Sequence, residues 1–333
     1  MLMTVGATAE NAACVAESLV AADLSGHGSH GVMKLPSYLR EIAARRLDPA
    51  ATPTILRETS TTANVDAMNG FGHVAGRFAA DVAVEKGRRH GLGAVVVSRA
   101  HHTGRLGNWA ERIAAAQMIG LLTGGEGQPP HRMAPHGGRD GALATNPVAC
   151  AVPRAPGAPP ILLDYATSVA SIGKIQLAQG AGASIPGGWL IDADGRPSTN
   201  PREIVADGRL LPFGEHKGYA LAVIAELLAV GLSGGADGSA GERSSCLFVL
   251  AISPAQFTPT TDLHRFADML DRRLRAVARL DADAEVLVPG DPEARARTAN
   301  AMGVPIQQSA WDALLRAAEE LNLRPPVRPT RRR

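Results

Sequence analysis

The sequence predicts an α/β protein built of several lobes. Three observations lead there. Short β-branched runs such as A-V-V-V-S (Ala94–Ser98) alternate with longer segments whose apolar residues recur at helical spacing. The chain has 333 residues, more than one ordinary small domain, with 45% apolar and 20% charged residues. Loops rich in Gly, Pro and His interrupt the elements, above all Gly124–Gly141.

Taken in order, Thr8–Asp23 reads as a helix with Val15, Leu19 and Val20 on an apolar face. Pro36–Arg46 reads as a second helix with Tyr38, Leu39 and Ile42 inward, since proline suits a first turn. Ala63–Met68 is a short strand, and a helix follows through Arg89. Ala94–Ser98 suits a buried strand. His101 and His102 come at once after it, then a helix marked by Leu106, Trp109 and Ile113, then a strand over Met118–Thr123. A strand follows the T-N-P turn (Thr145–Pro147), and Ile161–Asp164 is another, leading into a helix-like run from Ala166. Asp194-Gly195 reads as a hairpin tip. Leu210–Gly218 enters a helix over Tyr219–Val230, with Leu221, Ile224, Ala225 and Leu228 expected to be buried. After a small-residue loop (Ser233–Ser245), Cys246–Ile252 is a strand and Asp262–Arg279 a helix. Val286–Pro292 reads as strand plus turn, and Glu293–Asn300 and Ser309–Leu321 as helices.

Several function classes are disfavoured. A net charge of +2 and 4% aromatic residues give neither the field nor the stacking surface of a nucleic-acid binder. The basic run Arg328–Arg333 reads as a solvated tail. No apolar run approaches the roughly 18 residues that span a membrane. The first residues lack the charged start and long apolar core of a signal peptide. Cys14, Cys150 and Cys246 are dispersed and odd in number, which fits a reducing compartment. A cytoplasmic protein is expected. There is no G-x-S-x-G elbow and no Walker A loop. Gly70, Gly72 and Ala75 formally match a dinucleotide fingerprint, but the acid expected about 20 residues later is missing, with Ser98-Arg99 near its place, and the match reads as chance spacing.

Candidate chemistry gathers on glycine-flanked turns. Ser25–Lys34 reads S-G-H-G-S-H-G-V-M-K and sets two histidines on a flexible bend between helices. Histidine titrates near neutrality, so such a bend is suited to moving a proton, although it also reads as a plain solvated turn. His101/His102 lie beyond the carboxyl end of a strand, where ligands gather in open α/β sheets. Asp164, Thr167 and Ser168 lie at a strand-to-helix junction, and Lys217 stands at a helix start, where a cation beside free N–H groups can meet an anion. Two readings stand: hydride transfer with a proton relay, or metal-assisted hydrolysis by several of the ten histidines. Glycines make a helical His27/His30 zinc pair improbable, and no H-E-x-x-H occurs.

Seven stretches together carry a family resemblance. They are Asp23–Tyr38, H-H-T-G-R-L-G (His101–Gly107), A-P-H-G-G-R-D-G-A-L-A-T-N-P (Ala134–Pro147), D-Y-A-T-S-V-A-S-I-G-K (Asp164–Lys174), Ile185–Pro197, L-L-P-F-G-E-H-K-G-Y (Leu210–Tyr219) and V-P-G-D-P (Val288–Pro292). In this order the chain resembles the malate/L-lactate dehydrogenase family of NAD(P)-dependent oxidoreductases, which includes sulfolactate and ureidoglycolate dehydrogenases and 2,3-diketo-L-gulonate reductase.

The resemblance implies a sulfolactate dehydrogenase-like, non-Rossmann NAD(P)-binding fold with a mixed sheet. It implies a helical lobe (1–60 plus 300–333) carrying the catalytic histidine, a cofactor-binding α/β lobe (61–123 plus 215–299) and a central β-rich lobe (124–214). It also implies a homodimer, a small-molecule 2-hydroxy or 2-oxo acid substrate, and NAD or NADP as cofactor, with no resident metal. His30 corresponds to the proton donor and acceptor, and His102 to a second histidine that shares that role in some members. Asp164, Tyr165, Ala166, Thr167, Ser168, Val169 and Ala170, with His216, Lys217, Gly290, Asp291 and Pro292, correspond to cofactor contacts, and Asp164 orients the cofactor or the histidine pair. Thr145 lies on a loop that reaches the substrate. The family carries arginine where Lys34 stands here; the charge is kept, and Lys34 is expected to hold the substrate carboxylate without a bidentate fork. Gly124–Gly127 reads G-G-E-G, where relatives often have T-N-S, placing Glu126 where it could repel an anion. A relative that only binds the cofactor is a further alternative.

Overall fold

The computed structural model describes residues 1–129, 131–234, 244–281 and 283–325. The basic run Arg328–Arg333 and most of the Ser233–Ser245 loop lie outside them. The chain opens with helix α1 (Ala9–Leu24), whose Thr8 side chain caps the first turn by accepting from Asn11 N–H at 3.1 Å. Two short helical turns, Gly28–His30 and Val32–Lys34, lead into α2 (Leu35–Ala43). Strands β1 (Thr54–Glu58) and β2 (Thr62–Asp66) form a hairpin, followed by α3 (Gly72–His90) and β3 (Leu92–Ala100). Next come α4 (Gly107–Ala115), β4 (Ile119–Glu126), β5 (Val148–Val152), β6 (Ile161–Tyr165) and α5 (Ile172–Gly180). Short strands β7 (Leu190–Ile191), β8 (Pro197–Ser198) and β9 (Arg209–Leu210) precede α6 (His216–Glu226), which continues to Gly231 as a π-helical stretch. The chain closes with β10 (Ser245–Ile252), α7 (Thr260–Arg275), α8 (Asp291–Ala299) and α9 (Gln308–Glu320).

The main sheet is mixed, as expected, with strand order β1-β2-β3-β10-β4-β5-β6. Only β2 and β3 run parallel; the other neighbours are antiparallel. This alternation decides where the site forms. The carboxyl ends of β3, β4 and β6 and the starts of β10 and β5 fall on one edge, because Ser245 pairs with both Ala100 and Glu126, and Val148 with both Thr123 and Tyr165. The segments His101–His102, Glu126, Thr145–Pro147 and Asp164–Tyr165 therefore emerge side by side.

Small residues let the helices lie close on this sheet. Ala75, Ala79, Ala80 and Ala83 of α3 are fully buried, and a Cβ on Gly93 of β3 would stand 2.0 Å from the Ala83 carbonyl oxygen. Val95, Val97, Leu122, Leu247, Val249, Trp109 and Ile113 fill the same core. A second core, with Met133, Ile175, Leu190, Ile204, Leu210 and Ala222, lies beside the three-stranded sheet β8-β7-β9.

Several local expectations differ from the structure, and on α1 Val20 is 45% exposed rather than part of the apolar face. The run after Asp164 stays extended, and the helix begins only at Ile172, with Ser171 as its cap. Thr167 N–H is taken by the Thr145 carbonyl at 2.9 Å and Ser168 bridges to Pro212, so tertiary hydrogen bonds outcompete the helical tendency of A-T-S-V-A-S. Val286–Val288 forms no strand; Val288 is buried, and the Pro289 carbonyl accepts from Leu162 N–H at 3.1 Å. On α6, Ala222 and Ala225 are buried, but Ile224 is 52% exposed, contrary to its expected inward position.

Candidate functional site

The bend Ser25–Lys34 is held by an acid beneath it. Asp23 accepts Val32 N–H at 2.9 Å, and a Cβ on Gly31 would fall 1.8 Å from the Asp23 carboxylate. Only glycine lets the turn pass that close. Burial pushes the Asp23 carboxyl up to about 6. On the other side, a Cβ on Gly173 would meet the Ser29 Cβ at 2.2 Å, so the start of α5 clamps the residue preceding His30. Ser29 Oγ lies 3.0 Å from His30 Nδ1, which leaves Nε2 as the ring nitrogen open to other chemistry. Burial, with Lys34 nearby, pushes the His30 imidazole down to about 3, so it is neutral at ordinary pH.

His102 stands at the end of β3 and stacks on His30, with ring centroids 5.6 Å apart and planes 21° from parallel. Its Nδ1 lies 2.6 Å from the hydroxyl of Tyr38, a residue only 1% exposed. Burial raises the Tyr38 phenol and lowers His102, keeping both neutral. Below them lies His73, wholly buried, in edge contact with Tyr38 at 5.5 Å and His102 at 6.0 Å. Neither ring nitrogen of His73 has a hydrogen-bond partner among the described residues, and burial pushes its pKa down to about 3. Gly72 belongs to this packing: a Cβ there would stand 2.2 Å from the His101 carbonyl. The fingerprint-like Gly70-x-Gly72 thus seats the histidine loop.

Asp164 is the penultimate residue of β6, and its side chain meets the start of α4. It pairs with Arg105 Nε at 2.9 Å and accepts Gly107 N–H at 3.1 Å. Arg105, 2% exposed, also pairs with Glu111 at 2.8 Å. Burial raises the Asp164 pKa against the opposing pull of Arg105. The carboxylate therefore holds the loop after His102 against β6, the edge strand of the sheet.

Two clefts meet at His30. The first, of about 610 Å³, has apolar walls from Leu106, Pro147, Val169, Leu177 and Phe213, with Asp164, Tyr165, Ala166, Ser168, Ala170 and Lys174 also lining it. The second, of about 450 Å³, is polar and contains Lys34, Tyr38, His102 and Glu126. His30, Ser29, Thr145 and Ser171 line both. Thr167 lies behind the wall, its N–H and hydroxyl both donated to the Thr145 carbonyl at 2.9 Å.

The remaining expected residues stand apart. His216 and Lys217 are exposed in the first turn of α6 and line neither cleft. Gly290, Asp291 and Pro292 form the turn into α8: Gly290 has φ +102°, and Asp291 pairs with Arg275 at 2.7 Å and holds Val288 N–H at 2.9 Å. They too line neither cleft, although α8 reaches the first one indirectly, through Glu293 and His27 at 3.1 Å. The histidines do not converge on a metal: His27 faces Glu293, His30 faces Ser29 and His102 faces Tyr38, and the described residues hold no group of three potential ligands. Sequence reasoning gave Tyr38 only a core position and passed over His73, Arg105 and Lys174. A charged Arg105 inside H-H-T-G-R-L-G, entering an otherwise apolar helix, was the available signal.

His30, Ser29, Thr145 and Ser171 thus form a partition between a cleft with apolar walls and a polar one. Comparison with known proteins supplies the family. The family model "Malate/L-lactate dehydrogenase" matches residues 1–315, and the chain belongs to that family. It is 35% identical over 329 residues to hydroxycarboxylate dehydrogenase B of Escherichia coli K12, covering 96% of this chain and 90% of that protein. It is 37% identical over 235 residues to a Δ1-pyrroline-2-carboxylate/Δ1-piperideine-2-carboxylate reductase of Pseudomonas syringae, covering 69% and 66% of the two chains. Among solved structures, sulfolactate dehydrogenase of Methanocaldococcus jannaschii superposes with TM-score 0.84 at 31% identity, covering 97% of this chain and 94% of that one. Malate dehydrogenase of Entamoeba histolytica gives TM-score 0.91 at 28% identity, covering 98% and 95%. The fold is theirs.

Proposed function

We propose that this protein is a hydroxy acid oxidoreductase that uses NAD or NADP to interconvert a 2-hydroxy acid and its 2-oxo or imino counterpart. The observation that carries this reading is the position of His30, on the partition between a cleft with apolar walls and a cleft holding an ammonium. The first cleft fits a nicotinamide dinucleotide: its walls suit an aromatic ring, and Lys174 near the Ser171-capped start of α5 supplies a cation and free N–H groups for an anionic part. When bound, the nicotinamide supplies or receives the hydride.

The protein's own residues handle the proton and the carboxylate. In the tautomer that gives Nδ1–H to Ser29 Oγ, 3.0 Å away, His30 Nε2 presents a lone pair that takes the hydroxyl proton during oxidation. In reduction the imidazole first takes up a proton, which a substrate carboxylate neutralising Lys34 favours, and the same nitrogen then gives it to the new hydroxyl. Lys34 has no ion-pair partner among the described residues, and burial lowers its pKa, so a substrate carboxylate gives it the counter-charge it lacks. His102, steadied by Tyr38, packs against the face of His30 and shares the relay. Asp164 acts through Arg105 and Gly107 on the loop that carries His102. Thr145 lines both clefts and meets the substrate from the sheet edge.

The structure gives His216, Lys217 and Gly290–Pro292 no lining position, so any contact with cofactor is made by its far end. A homodimer is part of this reading. Ile224, Leu227 and Leu232 are 52%, 58% and 58% exposed along α6 and its continuation, an apolar face that a second copy would cover. Light scattering that gives a monomeric mass at micromolar concentration would remove the dimer from the account.

The activity is tested by NAD(P)H-linked turnover across malate, lactate, sulfolactate and cyclic imino acids. Turnover of one or more is expected. Turnover of none, with stoichiometric zinc in the purified protein, would instead support the metal-hydrolase alternative. Cofactor binding with no turnover would mark a relative that only binds it.

A further inference from the structure

Helix α8 lines neither cleft, yet it is tied to two walls of the first one. Before its start, the Pro289 carbonyl accepts Leu162 N–H at 3.1 Å, on the strand that carries Asp164, and a Cβ on Gly290 would stand 3.0 Å from the Pro160 carbonyl oxygen. Along its length, Glu293 meets His27 Nε2 at 3.1 Å and Arg297 Nε donates to Ser25 Oγ at 3.0 Å. At its end, Asn300 donates to the Leu24 carbonyl at 3.2 Å. The turn Gly290–Pro292 thus docks a helix whose side chains hold the bend that carries His30. The Glu293–His27 contact also fixes a tautomer. Burial pushes the Glu293 carboxyl up, but the hydrogen bond from His27 leads the opposing pulls, and the carboxyl is held below its usual range. A carboxylate only accepts, so His27 Nε2 carries the proton, and in the neutral ring Nδ1 keeps its lone pair. His27 lines the first cleft with its side chain 29% exposed, and His30 N–H donates to its carbonyl at 2.8 Å. The two histidines therefore stand one tight turn apart on the same wall.

This inference rests on the proposed activity. With His30 at the reacting carbon, the nicotinamide ring lies beside it, and the carboxamide on that ring is a neutral group with N–H to give. An acceptor on the same wall, one turn before His30, matches it. Lys174 and the start of α5 are left to the anionic part. We propose that Glu293 is a positioning residue that fixes His27 Nδ1 as the hydrogen-bond acceptor for the nicotinamide carboxamide. One such hydrogen bond changes affinity by about three- to tenfold.

The test measures equilibrium binding by titration calorimetry, with no acid substrate present. Two ligands are compared: the nicotinamide dinucleotide that the protein prefers, and its 3-acetylpyridine analogue, in which a methyl group replaces the carboxamide NH2. Wild type is expected to bind the carboxamide form about three- to tenfold more tightly. His27→Phe keeps a ring of similar size and is expected to remove that preference. Glu293→Gln can donate to Nε2 and so releases the tautomer; it is expected to reduce the preference too, and to change it no further in the His27→Phe background. Asn300→Ala loosens α8 without touching His27, and is expected to weaken both ligands alike and leave the preference as in wild type. A preference kept in His27→Phe would place the acceptor elsewhere in the cleft and overturn the inference. Equal binding of the two ligands by wild type, or a Glu293→Gln variant with the full wild-type preference, would overturn it as well. Each of these results leaves the proposed activity standing. A wild type that binds neither ligand would overturn the activity itself and this inference with it.

Discussion

The Tyr38 hydroxyl lies 2.6 Å from Nδ1 of His102, linking a helix near the start of the chain to the loop after β3. The contact fixes which ring nitrogen of His102 can face His30. Tyr38→Phe removes the hydroxyl and leaves His102 Nδ1 buried without its partner, a loss of about 1–3 kcal/mol in stability. In enzyme terms kcat is expected to fall and the pH profile to shift, while KM stays close to wild type. A Tyr38→Phe variant with an unchanged pH profile would show that the contact only packs the core.

Lys34→Ala is expected to raise KM for the acid substrate by about ten- to a hundredfold, with a smaller effect on kcat, because the lost contact is present in both the bound acid and the transition state. Lys34→Arg is expected to recover much of the binding. Steady-state kinetics with one acid across a wide concentration range separates the two parameters.

Acid is expected to destabilise the fold through its buried imidazoles. His30 and His73 have pKa values pushed down to about 3, against 6.5 for an ordinary histidine. Below pH 6.5 the unfolded chain takes up protons that the folded chain refuses, so stability falls as pH drops from 6.5 toward 3. Asp23 runs the other way: its carboxyl is raised from 3.8 to about 6, so its contribution is present below 3.8 and lost as pH rises through 6. With His102 also pushed down and Asp164 also raised, three imidazoles oppose two carboxyls, and the net slope is toward acid lability. His73→Leu is expected to make thermal melts less steep in pH over this window. An unchanged slope would mean that His73 is not held neutral.

Much of this architecture is readable in the sequence where the cause is local. Thr8 caps α1, Asp194-Gly195 turns the β7–β8 hairpin with Gly195 at φ +86°, and the Val-rich run Ala94–Ser98 lies inside β3. His30 and His102 stand on glycine-flanked turns that a motif can mark. What the sequence hides is non-local. Nothing in Ser245–Ile252 says that it inserts between β3 and β4, yet that insertion brings Glu126, His101 and Asp164 to one edge. The Tyr38–His102 contact spans 64 positions, so Tyr38 looks like any inward helix residue. The extended run after Asp164 is set by Thr145 and Pro212, partners that propensity does not see.

Gly173→Ala tests how the His30 turn is clamped. The new Cβ would stand 2.2 Å from Ser29 Cβ, so α5 and the turn must separate. A stability loss of about 1–3 kcal/mol is expected, together with reduced kcat, since both clefts share Ser29 and His30. Thermal melts and kinetics on the same preparation would show whether the two losses occur together.

The most direct measurement is the pH profile of NAD(P)H-linked turnover for His30→Gln beside wild type, with cofactor binding followed by fluorescence. If His30 moves the substrate proton, kcat falls by about 10²–10⁴ across the whole pH range while cofactor binding is retained. A His30→Gln variant that binds cofactor and turns over its acid at the wild-type rate at every pH would contradict the account.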